Sequence, residues 1–320
     1  MPALTRVAIL DDYQDIATSM ADWNFGPAVH VERFNEVIPA ESLPSRLRDF
    51  DAIVAMRERT PFPRTLIEQL PLLKLLVTTG RRNASIDVNA AAARGIIVCG
   101  TATLSTPPVE IAWALMLALA RRIPQEAMAM RDGAWQTTVG VGLHGKTLGI
   151  LGLGRLGTEV ARIGKAFGMD VIAWSQNLTT AQAAAAGARY VDKETLFGTA
   201  DFLSIHLVLS ARTTHLVGKA ELAQMKPTAY LINTARGPIV DEGALLETLI
   251  ARRIGGAGLD VFDVEPLPAT HPLRHLDNVV LTPHLGYVTL ENYRQMYTQA
   301  VEDIHAYLAG APLRVIAPQE

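Results

Sequence analysis

Five polar side chains fall just after apolar segments in the later part of the chain. They are His206, Arg236 in Asn-Thr-Ala-Arg-Gly-Pro, Asp260 in Gly-Leu-Asp-Val-Phe, Glu265 in Asp-Val-Glu-Pro and His284 in Leu-Thr-Pro-His-Leu-Gly. Three of these make a complete set for moving a proton while a carbonyl accepts a hydride. A cation, Arg236, can hold a carboxylate and polarise the carbonyl oxygen. An imidazole, His284, can serve as general acid to the alkoxide that forms. A carboxylate, Glu265, can keep that imidazole protonated near neutral pH, because it favours the charged ring. Each residue alone has a plainer reading: Arg236 as a sheet-edge ion pair, Glu265 as a loop carboxylate, His284 as a packed ring. Together they favour chemistry.

A second group of residues is placed to hold a dinucleotide. Thr147 to Leu151 reads as a short buried strand, followed by Gly152, Gly154 and Gly157 in G-x-G-x-x-G spacing. Thr158 to Phe167 then reads as a helix stopped by Gly168, and Val171 to Trp174 as a second strand. Gly152 permits the tight turn, Gly154 lets the backbone approach a pyrophosphate, and Gly157 lets helix and strand pack closely. The amides at the helix start point at the anion with the helix dipole behind them. A lone glycine motif is weak; its place between strand, helix and strand is what gives it meaning.

These groups need a scaffold, and the chain supplies an alternating one. Before the glycine motif, strands are expected at residues 6–10, 29–34, 52–56, 73–77 and 96–98, with helical segments between them. Short apolar strands alternating with helices imply parallel sheets covered on both faces. Thr106 to Arg122 reads as a long helix, with Pro107 and Pro108 at its start. It is apolar nearly all round, which predicts burial partly by a second subunit. Residues 131–145 read as a loop. Further strands are expected at 202–206, 229–233, 257–261 and 279–282, with helices at 180–186, 241–252 and 289–308. The expectation is an α/β protein of two doubly wound parallel-sheet domains, one inserted in the other. Residues 1–100 and 289–320 form the first domain and residues 101–288 the second.

Composition bounds what else the chain could be. Its 320 residues fit one or two domains, and apolar residues at 49% suffice for a sizeable core. Lys+Arg 29 against Asp+Glu 32 gives a net charge of −3, so neither nucleic acid nor an anionic membrane is an expected partner. Cys99 is the sole cysteine and reads as a small buried hydrophobe, which excludes an internal disulfide and fits a cytoplasmic protein. No secretory signal precedes the first strand, and the longest apolar run, 111–120, is too short to span a bilayer. There is no Cys/His metal spacing and no G-x-S-x-G elbow, so no metal is expected. Asp11 and Asp12 read as solvated strand-end residues. His30, His144, His215, His271, His275 and His305 read as structural or exposed, and Met128 and Met130 as core or subunit contact.

The chain resembles the NAD(P)-dependent D-2-hydroxyacid dehydrogenases, among them D-glycerate dehydrogenases, glyoxylate/hydroxypyruvate reductases and phosphoglycerate dehydrogenases. The resemblance is carried by Thr79-Gly80 with Ile86-Asp87, the run Gly145 to Gly157, Asn233 to Glu242, Gly258 to Phe262 with Glu265-Pro266, and Thr282 to Gly286. It implies a flavodoxin-like substrate domain interrupted by a Rossmann domain that takes NAD or NADP. It implies interconversion of a small 2-keto acid and a D-2-hydroxy acid, and the apolar helix through Arg122 adds the expectation of a homodimer. The catalytic residues it implies are Arg236, Glu265 and His284. The cofactor residues it implies are Arg155, Leu156, Thr234, Ala235, Asp260 and Gly286, and the glycine motif and the polar residues after the strands add Gly152, Gly154, Gly157, Ser175, His206, Ser210, Arg236 and His284. Its substrate residues are Arg57, Thr79, Gly80, Arg81, Arg236 and His284.

The chain departs from the family pattern at three places. Ser175, followed by Gln176 and Asn177, stands where the family often has an acid for the ribose hydroxyls, which removes a charge that would repel a 2′-phosphate and predicts a preference for NADPH. Val208 replaces the proline of the family's His/Cys-x-Pro-Leu-Thr run. The loop Thr78-Thr-Gly-Arg-Arg-Asn83 carries two arginines. The rival expectation is a dinucleotide-sensing interaction protein on the same scaffold, since a fold does not fix a function.

Overall fold

The computed structural model describes residues 5–318. The chain forms two compact units, one running to Leu104 and resuming at Thr289, the other spanning Ser105–Val288. The first holds strands β1 (Arg6–Ile9), β2 (His30–Arg33), β3 (Ala52–Ala55), β4 (Leu75–Thr78) and β5 (Ile97–Gly100) in a parallel sheet of order β2-β1-β3-β4-β5. The central strands β3 and β4 are buried along their whole length. Such runs of Ala, Ile, Leu and Val without alternation are what a sheet covered on both faces requires. The tail closes the β5 edge: Ile316 N donates to Val98 O (2.8 Å) and Gly100 N to Arg314 O (3.0 Å). Helix Leu290–Leu308, N-capped by Thr289 through the Asn292 amide, returns to this unit and buries Tyr293 and Tyr297 completely.

The second unit holds β6 (Thr147–Leu151), β7 (Asp170–Trp174), β8 (Arg189–Tyr190), β9 (Phe202–Ile205), β10 (Tyr230–Asn233), β11 (Gly256–Leu259) and β12 (Val279–Leu281). Its parallel sheet has the order β12-β11-β10-β9-β6-β7-β8. In each unit the strand order reverses once, beside β1 in the first and beside β6 in the second. In such sheets ligands bind outside the carboxyl ends of the strands at that reversal. The glycine-rich turn follows β6, and Asp11-Asp12 and Arg57 follow β1 and β3.

Several expectations are corrected here. Asp11 and Asp12 are not solvated but are 3% and 0% exposed. Asp12 accepts the Ile16 and Ala17 amides, both at 3.0 Å. Asp11 accepts from Thr60 Oγ1 (2.8 Å) and Tyr13 OH (3.1 Å), and burial pushes its carboxyl above the usual range. Both acids are spent on the loops around them.

Met128 and Met130 are not core: they lie exposed on helix Ile123–Arg131, which continues from Arg122 in a left-handed conformation (φ 51°). Helix Pro107–Arg121 finds most of its burial within its own unit, against β10, β11 and helix Arg155–Ala166. Gly258 on β11 admits it closely, since a Cβ there would lie 3.0 Å from Leu115 Cβ. Cys99 is fully buried, and burial pushes its thiol up to about 12. Among the described residues, no helix is long and apolar enough to cross a membrane and no cluster of three His, Cys, Asp or Glu could hold a metal ion.

Candidate active site

Three loops at the carboxyl edge of the seven-stranded sheet carry the residues singled out for chemistry. The first follows β10. Asn233 Oδ1 accepts the Ala235 amide (3.1 Å) and its Nδ2 donates to Arg236 O (2.9 Å), so the side chain of the last strand residue shapes the turn that presents Arg236. Gly237 then meets the second loop at close range. A Cβ at Gly237 would sit 2.1 Å from the Phe262 carbonyl carbon, which only glycine avoids. Within that second loop, Glu265 Oε1 accepts the Phe262 amide (2.9 Å). The loop is also tied to its neighbour by Glu242, whose Oε1 lies 3.1 Å from His271 Nε2.

The third loop follows β12 and carries His284 at φ 52°, a conformation costly for a side chain other than glycine. Asp260 holds it there. It is completely buried, and its two oxygens accept Thr282 Oγ1 (2.5 Å), the Leu285 amide (2.7 Å) and the Gly286 amide (2.7 Å). Burial pushes the Asp260 carboxyl up, against the lowering effect of these donors and of His284. The Asp260 oxygens therefore serve first to fix the segment around His284.

His284 Nδ1 lies 2.6 Å from Glu265 Oε2. An ionised carboxylate only accepts, so Nδ1 carries the hydrogen and donates it. Burial acts to raise the Glu265 carboxyl, but the His284 bond and charge, the Phe262 amide and Arg236 together hold it below its usual value. Glu265 is thus ionised at neutral pH. Nε2 of His284 makes no hydrogen bond among the described residues and is open to a reacting group. The ring is edge-on to Tyr287, with centroids 5.4 Å apart. Arg236 donates through Nη1 to Ala235 O (2.7 Å).

The glycine-rich turn leaves room for an anion. Gly152 adopts φ +103°, and a Cβ on Gly157 would lie 2.2 Å from Gly152 O. Both are therefore demanded by the fold itself. Gly154 differs: a Cβ there would meet nothing within 4 Å. It caps helix Arg155–Ala166 with no side-chain acceptor on the first-turn amides, which leaves them for a phosphate. This cradle fits a dinucleotide pyrophosphate, with Arg155 and Leu156 on the first turn. Ser175 follows β7 half-buried, with Gln176 and Asn177 exposed after it. His206 shares a hydrogen bond with Ser204 Oγ (2.8 Å), and burial pushes its ring down to about 4, so it is neutral. Ser210 starts an exposed turn whose Thr213 hydroxyl receives the Ser210 amide (2.8 Å). Val208 is 84% exposed. Thr234 and Ala235 precede Arg236, and Gly286 is the residue whose amide Asp260 holds.

The remaining sequence-predicted residues, Arg57, Thr79, Gly80 and Arg81, lie in the five-stranded unit. Thr79 Oγ1 accepts the Arg57 amide (2.9 Å), and Arg57 Nη1 donates to Thr79 O (3.2 Å). Arg57 has φ 54° and stands where a Gly80 Cβ would be, 2.0 Å from Nη1. Sequence reasoning missed the neighbours of this turn. Asn83 Nδ2 donates to Arg57 O (2.6 Å) and Thr78 Oγ1 (2.9 Å), and Arg59 bonds Asp11 O (2.7 Å) beneath the Tyr13 ring. Only their place just after strand ends could have signalled them.

Residues 113–286 match the family described as D-isomer specific 2-hydroxyacid dehydrogenase, NAD binding domain. The chain is 41% identical over 283 residues to the glyoxylate reductase of Aeropyrum pernix, covering 85% of this chain and 84% of that protein. It is 37% identical over 281 residues to the hydroxypyruvate reductase of Thermotoga maritima, covering 86% and 90%. A solved phosphoglycerate oxidoreductase from Vibrio cholerae superposes with a TM-score of 0.91 at 35% identity, covering 96% of this chain and all of that one.

Proposed function

The chain belongs to the D-isomer specific 2-hydroxyacid dehydrogenase family and is a nicotinamide-dinucleotide-dependent enzyme, and from that premise we propose that it reduces a small 2-keto acid to the D-2-hydroxy acid with His284 as general acid. The observation that carries this reading is the 2.6 Å bond from His284 Nδ1 to Glu265, which leaves Nε2 for the substrate oxygen. The bound dinucleotide supplies the hydride. Arg236 binds the carboxylate and draws electron density toward the carbonyl oxygen. His284 Nε2 delivers a proton to that oxygen as its charge grows, and the Glu265 carboxylate holds the ring by Nδ1 with Nε2 free to act. In oxidation the same nitrogen takes the proton back. Thr79, Gly80 and Arg81, with Arg57 beneath them, receive the substrate carboxylate.

The pyrophosphate belongs on Gly152, Gly154, Arg155, Leu156 and Gly157. His206, Ser210, Thr234, Ala235, Asp260 and Gly286 complete the cofactor set. Ser175 removes the carboxylate that would repel a 2′-phosphate, and Ser175, Gln176 and Asn177 can donate to one, so NADPH is the preferred reductant. A homodimer is part of the reading. Ile123, Met128, Met130, Trp135 and Val139 are all more than half exposed within a short stretch, an apolar surface suited to a second copy. The test is oxidation of NADPH and NADH in parallel against glyoxylate, hydroxypyruvate and a wider 2-keto acid panel. Turnover supports hydride transfer. Tight dinucleotide binding with no turnover across the panel supports a sensing protein instead.

A further inference from the structure

Glu265 keeps its oxygen on His284 from a poor foothold. Residues 263–266 of its loop are all exposed, so packing does not fix them. The buried side chains of Phe262 and Leu267 seat only the two ends of that segment. Arg274 fastens the far end, donating from Nε to Pro268 O (2.9 Å) and from Nη2 to Leu267 O (2.7 Å). Those bonds are internal to the loop and leave its place relative to Arg236 open.

One side chain from outside the loop reaches both of its arms. Glu242 is half-buried in the first turn of helix Glu242–Ile250, which the chain enters directly from the Arg236 turn. Its Oε2 accepts the Asp263 amide (3.4 Å) on the near arm, and its Oε1 lies 3.1 Å from His271 Nε2 on the far arm. His271 Nδ1 accepts the Leu273 amide (3.3 Å), so the neutral ring carries its hydrogen on Nε2 and donates it to Glu242. The helix does not need Glu242 as its cap, because Asp241 accepts the Ala244 amide (3.0 Å). Burial and the charges of Glu242 and Asp241 push the neighbouring Asp263 carboxyl up, against the pull of His215 and His271. Of the acids in this corner, Glu242 is the one that joins the two loops.

We propose that Glu242, with His271, is a positioning residue that locks the Glu265 loop to the helix following Arg236 and so holds Glu265 against His284. The proposal rests on the reading of Glu265 as the partner of the general acid. Misplacing a reacting group by about 1 Å can cost on the order of 10²-fold in rate. Glu242→Ala and His271→Ala should each lower kcat about tenfold or more, with KM for the dinucleotide within about threefold of the wild type. His271→Gln, which still carries a donor for Glu242, should recover most of the loss. The alkaline limb of the rate profile should move down in Glu242→Ala, because a displaced carboxylate favours the charged ring less. A double-mutant cycle separates positioning from plain stability. On a Glu265→Ala background nothing is left to position, so Glu242→Ala should cost little more. Equal losses in both backgrounds, or wild-type kcat in both single alanine variants, overturn the proposal. If Glu242→Ala does not fold, His271→Ala removes the same bond from the loop side and carries the cycle. Absence of turnover with every keto acid is a failure of the hydride-transfer reading. Proton NMR of the His284 Nδ1 hydrogen then decides the matter without turnover. Its resonance should move upfield or vanish in Glu242→Ala, and a resonance that matches the wild type overturns the proposal.

Discussion

The carboxyl edges of the two sheets are built alike and equipped differently. Both put a non-glycine residue in the left-handed region just past a strand, Arg57 at φ 54° after β3 and His284 at φ 52° after β12. Both hold it by side-chain hydrogen bonds to neighbouring backbone. In the seven-stranded unit, the result is an imidazole bonded to an ionised carboxylate with one nitrogen left over. In the five-stranded unit, the acids at the edge, Asp11 and Asp12, are buried and engaged, while the groups left over are guanidinium and amide donors. One edge can move a proton; the other can recognise an anion. The same supersecondary logic thus yields different chemistry according to which groups the loops leave unsatisfied.

The largest expected effect tests whether proton transfer belongs to one edge alone. His284→Ala should lower kcat by ~10²–10⁴-fold while the dissociation constant of the dinucleotide changes far less. Asp11→Asn should leave kcat within about threefold, as expected of a group that acts on stability only. A hundredfold loss in the second variant, or normal kcat in the first, breaks the contrast. A crossed pair of glycine substitutions comes next. Gly154→Ala places a methyl where the pyrophosphate is expected and should raise KM for the dinucleotide ~10–100-fold. Gly80→Ala displaces the Arg57 guanidinium and should raise KM for the keto acid by a similar factor, leaving the dinucleotide's alone. Steady-state kinetics with each substrate varied reads both, and a loss of both KM values in either variant would blur the division of labour.

Smaller is the change expected at Ser175. Replacement by Asp should swing the ratio of kcat/KM for NADPH over NADH by about tenfold toward NADH, roughly 1.4 kcal/mol. A wild type that already prefers NADH tenfold would show that Ser175 is not the selector. The smallest is a shift in pH. Reduction needs a protonated His284, and Glu265→Gln removes the carboxylate that favours that form. The alkaline limb of the rate profile should move down by about one pH unit. In the wild type the same carboxylate is ionised more easily when folded than when unfolded. Its contribution to stability is complete above its unfolded value, and drains as the pH falls through the folded one. Denaturation midpoints of Glu265→Gln should therefore vary less with pH on the acid side than those of the wild type.

What the sequence disclosed depended on whether a residue's task is imposed locally. Gly152 and Gly157 were legible because the turn's own backbone leaves no space for a Cβ. Arg236, Glu265 and His284 were legible as candidates because each sits in a short distinctive run after a strand. The interactions that aim them were not. Asp260 reaches Leu285 and Gly286 across 25 and 26 residues, and no periodicity encodes that. Asp11 and Asp12 misled for the same reason: a carboxylate after a strand looks solvated until the amides that turn toward it are known. The helices Lys193–Thr199 and Lys219–Gln224 escaped because six or seven residues give too little of a 3.6-residue period. The two-residue strand β8, exposed at both positions, gave no apolar signal.

The interrupted connectivity of the five-stranded unit also sets an order of events during synthesis. Its last helix, Leu290–Leu308, is translated only after the whole of Ser105–Val288, a delay of roughly 10–40 s at ordinary elongation rates. Throughout that interval the five-stranded sheet lacks the helix that supplies its buried Tyr293 and Tyr297 and the tail that closes the β5 edge, and by its end the seven-stranded unit has all its strands. An open strand edge with uncovered apolar surface is what chaperones bind and what nascent chains aggregate through. The vulnerable stage of this protein's biogenesis is thus the nascent chain that already owns its seven-stranded unit and still waits for the segment that starts at Thr289.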